Sequence, residues 1–138
     1  MTHIDPERAA FEVFKALPRD EPVEMLNLIA LHEHAAYPDG RKLTGADAYR
    51  QYGETSAPVF QRVGGRIIWR GAPRCVLIGP STEQWDLAFI AAYPSASAFL
   101  EMVTDAFYQS EAVPHRRAAV RDSRLIRNAP SGAGSAFG

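Results

Sequence analysis

Two stretches of the chain, Val23 to Leu31 (VEMLNLIAL) and Trp85 to Tyr93 (WDLAFIAAY), are mostly apolar at every position. Each is too short and too uniformly greasy for a surface helix, and turn residues flank both, so each reads as a strand. In a strand, successive side chains point to opposite sides. Val23, Met25, Asn27, Ile29 and Leu31 then oppose Glu24, Leu26, Leu28 and Ala30; Leu87, Phe89, Ala91 and Tyr93 oppose Asp86, Ala88, Ile90 and Ala92. A sheet wet on one side alternates apolar with polar residues. These strands do not, and each large side chain left in water would forgo about 1.5–3 kcal/mol. Both sides of the sheet therefore demand a cover.

The remaining elements follow from caps and breakers. Asp5-Pro6 reads as a helix start, and Phe11, Val13, Phe14 and Leu17 carry an apolar stripe to Pro18, predicting a helix over 5–17. Pro38-Asp39-Gly40 turns the loop after the first strand. Thr44 caps a helix to about Val63, with a kink or break expected near Pro58 and an end at Gly64-Gly65. RIIWRG and RCVLIG are two short β-rich runs joined around Gly71-Ala72-Pro73, read as a hairpin or one bent strand, with Cys75 an inert buried thiol in the second run. Ser95 caps the next helix, a further helical piece starts near Ala106, and Pro114 divides that region before His115 to Val120. Asp122 to Arg127 is the last strand, and APSGAGSAFG reads as a flexible tail.

The order is a helix followed by β–α–β–β–α–β. This is the split βαβ unit of an α+β, ferredoxin-like fold with a four-stranded antiparallel sheet. Residues 1–20 are expected to be a helical extension, 21–128 the domain and 129–138 the tail. Right-handed crossovers put both main helices on one face. The N-terminal helix would cover part of the other, and a second copy packed sheet to sheet would cover it more completely, so a homodimer is expected.

Charge and composition narrow the partners. Fifteen basic and sixteen acidic residues leave a net charge of −1, with no electrostatic footprint of a nucleic-acid binder. The longest apolar runs fall far short of the about 20 residues that span a bilayer, so no membrane partner is expected. The N-terminus lacks a signal peptide's basic start and apolar core, and the single cysteine fits a reducing compartment; the cytoplasm is the default.

The segments NLIALHEHAAYPDGRKLTGADAYRQYG, APVFQRVGGRIIWRG, LIGPSTEQWDLAFIAAYPSASAFLEMVTDAFYQ and HRRAAVRDSRLI, in this order from Asn27 to Ile126, resemble the family numbered 1330 among domains of unknown function, in its longer form. The resemblance implies a ferredoxin-like fold of the dimeric α/β-barrel group. That group includes small monooxygenases, haem-dependent chlorite dismutases, stress-response barrel proteins and muconolactone isomerase-like enzymes. The family has no settled activity and supplies no catalytic residue to carry over. Fold alone does not give function.

Five residues stand out as ligand-binding candidates: Asn27, Tyr52, Trp69, Arg70 and His115. Asn27 is an amide inside an apolar strand, and a buried amide must find hydrogen bonds; it would either line a cleft or bond a neighbouring loop or a second copy. In a regular strand Arg66 and Arg70 share a face opposite Trp69, and two guanidinium groups would suit a carboxylate; the plainer reading is a wet edge. His115, with Tyr108 and Arg116 nearby, would serve as a base or donor between helix and sheet, or simply pack. Tyr49 and Tyr52 share one helix side. Trp85-Asp86 reads as core or interface, and Asp122-Ser123 as a turn or cap. His32-Glu33-His34 is the only metal candidate and lacks a third ligand at motif spacing, so neither metal nor cofactor is expected.

Two functions remain open at this point. One is a cofactor-free cleft that binds or converts a small, largely apolar or carboxylate-bearing molecule, oxygenase-like or isomerase-like by fold analogy. The other is a non-catalytic dimeric structural or regulatory module. Convergence of Asn27, Arg70 and His115 on one cavity would favour the first.

Overall fold

The structure, a computed structural model, describes residues 2–138. Four strands, β1 (Val23–Leu31), β2 (Arg66–Gly71), β3 (Leu87–Tyr93) and β4 (Val120–Asn128), form one antiparallel sheet in the order β2-β3-β1-β4. With α2 (Gly45–Arg62) and α3 (Ala96–Thr104) as the crossovers, this is the ferredoxin-like arrangement. The sheet is open, not a closed barrel.

The caps act as expected. The Thr44 hydroxyl accepts from the backbone N–H of Asp47 at 3.0 Å, and the Ser95 hydroxyl from that of Ala98 at 3.1 Å. Gly64 closes α2 in the left-handed region at φ 85°, a conformation that only glycine adopts cheaply. The break expected at Pro58 does not occur. The proline costs one helical hydrogen bond, while continuing the helix keeps Val59 and Val63 in the core. After α3 the chain passes through a π-helical turn (Tyr108–Ala112) directly into α4 (Val113–Ala119), with Pro114 in the first turn of α4.

Two expectations fail. The first helix, α1, runs Arg8–Ala16, and Asp5 is not its cap. Asp5 instead accepts from Nε of Arg117 at 3.1 Å, so the segment before α1 is drawn to α4. The run RCVLIG is not a strand: the β2 ladder ends at Gly71, and residues 74–82 are exposed without a pairing partner. Cys75 is correspondingly exposed rather than buried.

The helices cover one side of the sheet. Val23, Met25 and Ile29 of β1 and Ala91 and Tyr93 of β3 are buried beneath them. The N-terminal helix joins that same layer: the Phe14 ring lies 5.0 Å from that of Phe99, and the Arg127 guanidinium sits 4.8 Å above it. Arg127 is in register with Met25, on the helix side. α1 therefore covers none of the opposite face, contrary to one of the two covers expected for it. There, cross-strand registers align Leu26 with Ile90 and Ile126, and Leu28 with Ala88 and Arg124. At one end of that face Arg124 lies over the Trp85 ring at 5.2 Å and 3.8 Å from Glu83. Beyond it, Trp69 is 50% and Ile126 48% exposed.

Candidate functional site

A β-bulge decides where the β2 side chains go. Ile67 pairs with Ala91 and Trp69 with Ile90, which leaves Ile68 as the extra residue. One inserted residue flips the alternation beyond it. Arg66, opposite Ala92, and Trp69, opposite Ile90, thus share the helix-free face, while Arg70, opposite Phe89, turns to the helix side. The expected sharing of one face by Arg66 and Arg70 is overturned, and Trp69 is separated from the other candidates.

On the helix side, Arg70, Phe89, Asn27 and Leu125 form one row across the sheet. The Asn27 amide Nδ2 donates to the Met25 carbonyl of its own strand at 3.0 Å. In the helix layer, the Tyr52 and Tyr108 hydroxyls are 2.8 Å apart, and the Tyr49 and Tyr52 rings have centroids 5.4 Å apart. The π-helical turn supplies Tyr108 to this cluster. Burial pushes the Tyr49, Tyr93 and Tyr108 phenols well above the ordinary tyrosine range, so all stay protonated. The positive charges of Arg116 and Arg70 act on Tyr49 in the opposite sense. Arg116 bonds only neutral groups, the Ile4 carbonyl at 2.5 Å and the Ser123 hydroxyl at 3.4 Å.

His115 lies apart from this row. Its Nδ1 is 2.6 Å from the Tyr37 hydroxyl, and the two rings meet edge to face at 5.6 Å. They border a cleft of about 480 Å³ between the loop after β1 (Tyr37, Pro38, Asp39, Arg41) and the junction into α4 (Ser110, Glu111, Pro114, His115). Burial raises the Tyr37 phenol, so it remains a donor; a neutral imidazole then accepts at Nδ1 and carries its proton on Nε2. Arg41 lies over the Tyr37 ring at 4.4 Å and is clamped to Asp39 at 2.6 Å. The Asp39 carboxyl is held below the usual range, first by its bond from the Arg41 side chain. The cleft thus offers an oriented histidine, a phenol, two proline faces and a balanced ion pair.

Neither Asn27 nor Arg70 lines the cleft that holds His115. Tyr37 and Arg41 escaped the sequence reading because 78 residues separate Tyr37 from His115, and only the packing of α4 on the loop after β1 joins them. Among the described residues no group of three His, Cys, Asp or Glu stands together as a metal site. His34 is exposed at an isolated bridge to Thr44, and His32 follows β1 with its backbone N–H bonded to the Ala119 carbonyl.

Fold and site together define a ferredoxin-like α+β protein with a tyrosine–histidine pair in an open cleft. The chain belongs to the family described as Domain of unknown function (DUF1330), whose model matches residues 40–129. It is similar to two crystal structures of RPA0582, a protein of unknown function from Rhodopseudomonas palustris. The methylated form is 53% identical with a TM-score of 0.92, over 97% of this chain and 98% of that one. The other is 52% identical with a TM-score of 0.90, over 96% and 100%. No curated protein matches. Among the described residues no helix is long and apolar enough to cross a membrane.

Proposed function

We propose that this chain is a homodimeric, cytoplasmic small-molecule-binding protein, joined through the helix-free sheet faces, each subunit holding its ligand in the Tyr37–His115 cleft. The working unit in this reading is residues 21–128, with 1–20 as an extension and 129–138 as a tail. The observation that carries it is the 2.6 Å approach of the Tyr37 hydroxyl to His115 Nδ1 beside a cleft of about 480 Å³. That volume lies within the usual range for small-molecule sites, about 300–1,000 Å³. The phenol orients the imidazole, and an oriented imidazole exchanges a hydrogen bond or a proton with a bound hydroxyl or carbonyl. Pro38 and Pro114 suit an apolar body. With Asp39 neutralised by Arg41, Glu111 leaves the rim a net negative charge that disfavours a carboxylate, so the ligand is a largely apolar, uncharged molecule with one polar group. An exposed Cys75 thiol fits the reducing cytoplasm.

The dimer is supported by the half-exposed Trp69 and Ile126 beside the partly buried Leu26 and Ile90 on the helix-free face. It predicts a dimer by sedimentation at micromolar concentration and a folded monomer for Leu26→Asp with Ile90→Asp; a wild-type monomer refutes it. The ligand reading predicts thermal-shift hits from a panel of neutral aromatic alcohols and ketones, lost in His115→Ala and weakened about tenfold in Tyr37→Phe. Hits that persist in His115→Ala refute this site. A dimeric module without ligand is the second reading, favoured by the amide of Asn27, which is spent on its own strand. A panel without hits on an intact dimer would support it.

A further inference from the structure

The 72–86 connection between β2 and β3 is the least explained segment of the molecule. A loop of this length without secondary structure is uncommon in a small domain and usually functional. Loop tips are ordinarily polar, yet this one carries Val76, Leu77 and Ile78 in succession, with Leu77 90% and Ile78 92% exposed. The same residues have the composition of a strand. Both ends are anchored: Gly71 ends the β2 ladder, and at the other end Asp86 accepts from the Leu31 backbone N–H at 2.7 Å while Trp85 lies beneath Arg124. Arg124 is in register with Leu28, on the helix-free face. The loop thus rises from the rim of the face that lacks a cover.

We infer that residues 72–86 form an arm that packs Leu77 and Ile78 against a second copy of the chain, extending the sheet-to-sheet contact. The inference rests on the dimer of the preceding reading, and size supports it. Four strands about 4.8 Å apart, each about seven residues long at about 3.3 Å per residue, give a sheet face of roughly 20 by 23 Å. That flat footprint of roughly 450 Å² falls well short of the about 800 Å² of accessible surface per partner typical of a stable interface, a gap that side-chain relief narrows. Apolar area at the rim enlarges the contact further, and the exposed Leu77 and Ile78 of the arm are the source of it. Leu77 lies six residues beyond Gly71, a reach of up to about 20 Å when extended. That reach matches the width of the partner's sheet. The occupant is a second copy because the uncovered face and the uncovered arm tip belong to the same chain and adjoin each other.

Sedimentation equilibrium on three proteins tests the arm: wild type, Leu77→Ser with Ile78→Ser, and Leu26→Asp with Ile90→Asp. Since nothing within the subunit covers Leu77 or Ile78, the arm variant should keep the wild-type monomer's denaturation midpoint while its dimer dissociation constant rises at least tenfold. Native Cys75, next to the tip, is a built-in probe: its reaction with a thiol reagent should be several-fold slower in the dimer than after dilution to monomer. A dissociation constant within twofold of wild type, with Leu26→Asp and Ile90→Asp still dissociating the dimer, overturns the arm and leaves the dimer standing. Equal Cys75 reactivity in dimer and monomer overturns it too and leaves the tip for a different partner. A wild-type monomer removes the dimer and the arm together.

Discussion

The two faces of this sheet have nearly the same composition and opposite fates. β1 places Val23, Met25 and Ile29 on one side and Leu26 and Leu28 on the other. The first set is buried beneath α2, α3 and the first helix; the second is only partly buried. The chain spends its helices, including the N-terminal one, on a single face. Apolar patterning therefore reports that a residue will be covered, without saying by which molecule. Within one subunit the two faces should differ in energy, and the difference should vanish on association.

The largest contrast lies between Ile29 and Leu26. Ile29→Ala empties a fully enclosed site and should cost about 3–4 kcal/mol. Leu26→Ala, measured by urea denaturation at concentrations too dilute for association, should cost clearly less, because part of its surface is already wet. Equal costs at high dilution would mean that the open face is covered from within the chain. A smaller effect belongs to the tyrosine layer. Tyr52→Phe leaves the Tyr108 hydroxyl without its 2.8 Å partner and should cost about 1–2 kcal/mol with no change in dimerisation. A shift in the dimer constant would show that the two faces are coupled.

The smallest effect concerns acid. Asp105 accepts from the Tyr108 backbone N–H and from Arg62, and these bonds hold its carboxyl below the ordinary range. A depressed folded-state pKa gives stability that is complete above the ordinary carboxylate value and is lost as pH falls through the depressed one. Asp105→Asn should flatten the acid limb of the stability profile and leave stability near neutral pH lower and less pH-dependent. Because Asp105 belongs to the helix layer, acid below the ordinary carboxylate range should loosen α3 and the π-helical turn before it affects the open face. An acid limb identical to wild type, or loss of dimer ahead of helix signal, would reverse that order.

Much of the fold was legible. The first strand spans the residues its apolar run predicts, and Thr44 and Ser95 cap the helices their positions predict, because strand and cap signals are local. Residues 75–78 misled for an equally physical reason: propensity describes a residue's own preference, whereas a strand needs a neighbour, and the subunit offers none past Gly71. Asp5 misled because Arg117, 112 positions away, competes for its carboxylate. Among the candidate residues, Asn27, Tyr52 and Arg70 do share the helix side. Trp69 lies opposite Arg70, as regular alternation predicts; Arg66 was misplaced, because no feature of RIIWRG announces the bulge at Ile68 that turns it to the face of Trp69. His115 was visible as a histidine, but its partner Tyr37 was not, since their pairing arises only from tertiary packing.

The stacking of Trp85 beneath Arg124 has a practical side. The chain has two tryptophans, and both lie on the helix-free side, one half-wet and one capped by a guanidinium. Its intrinsic fluorescence therefore watches that side alone. A blue shift on raising the concentration would record two subunits closing over Trp69 without any label, and a ligand entering beside His115 would leave the spectrum dark to its arrival.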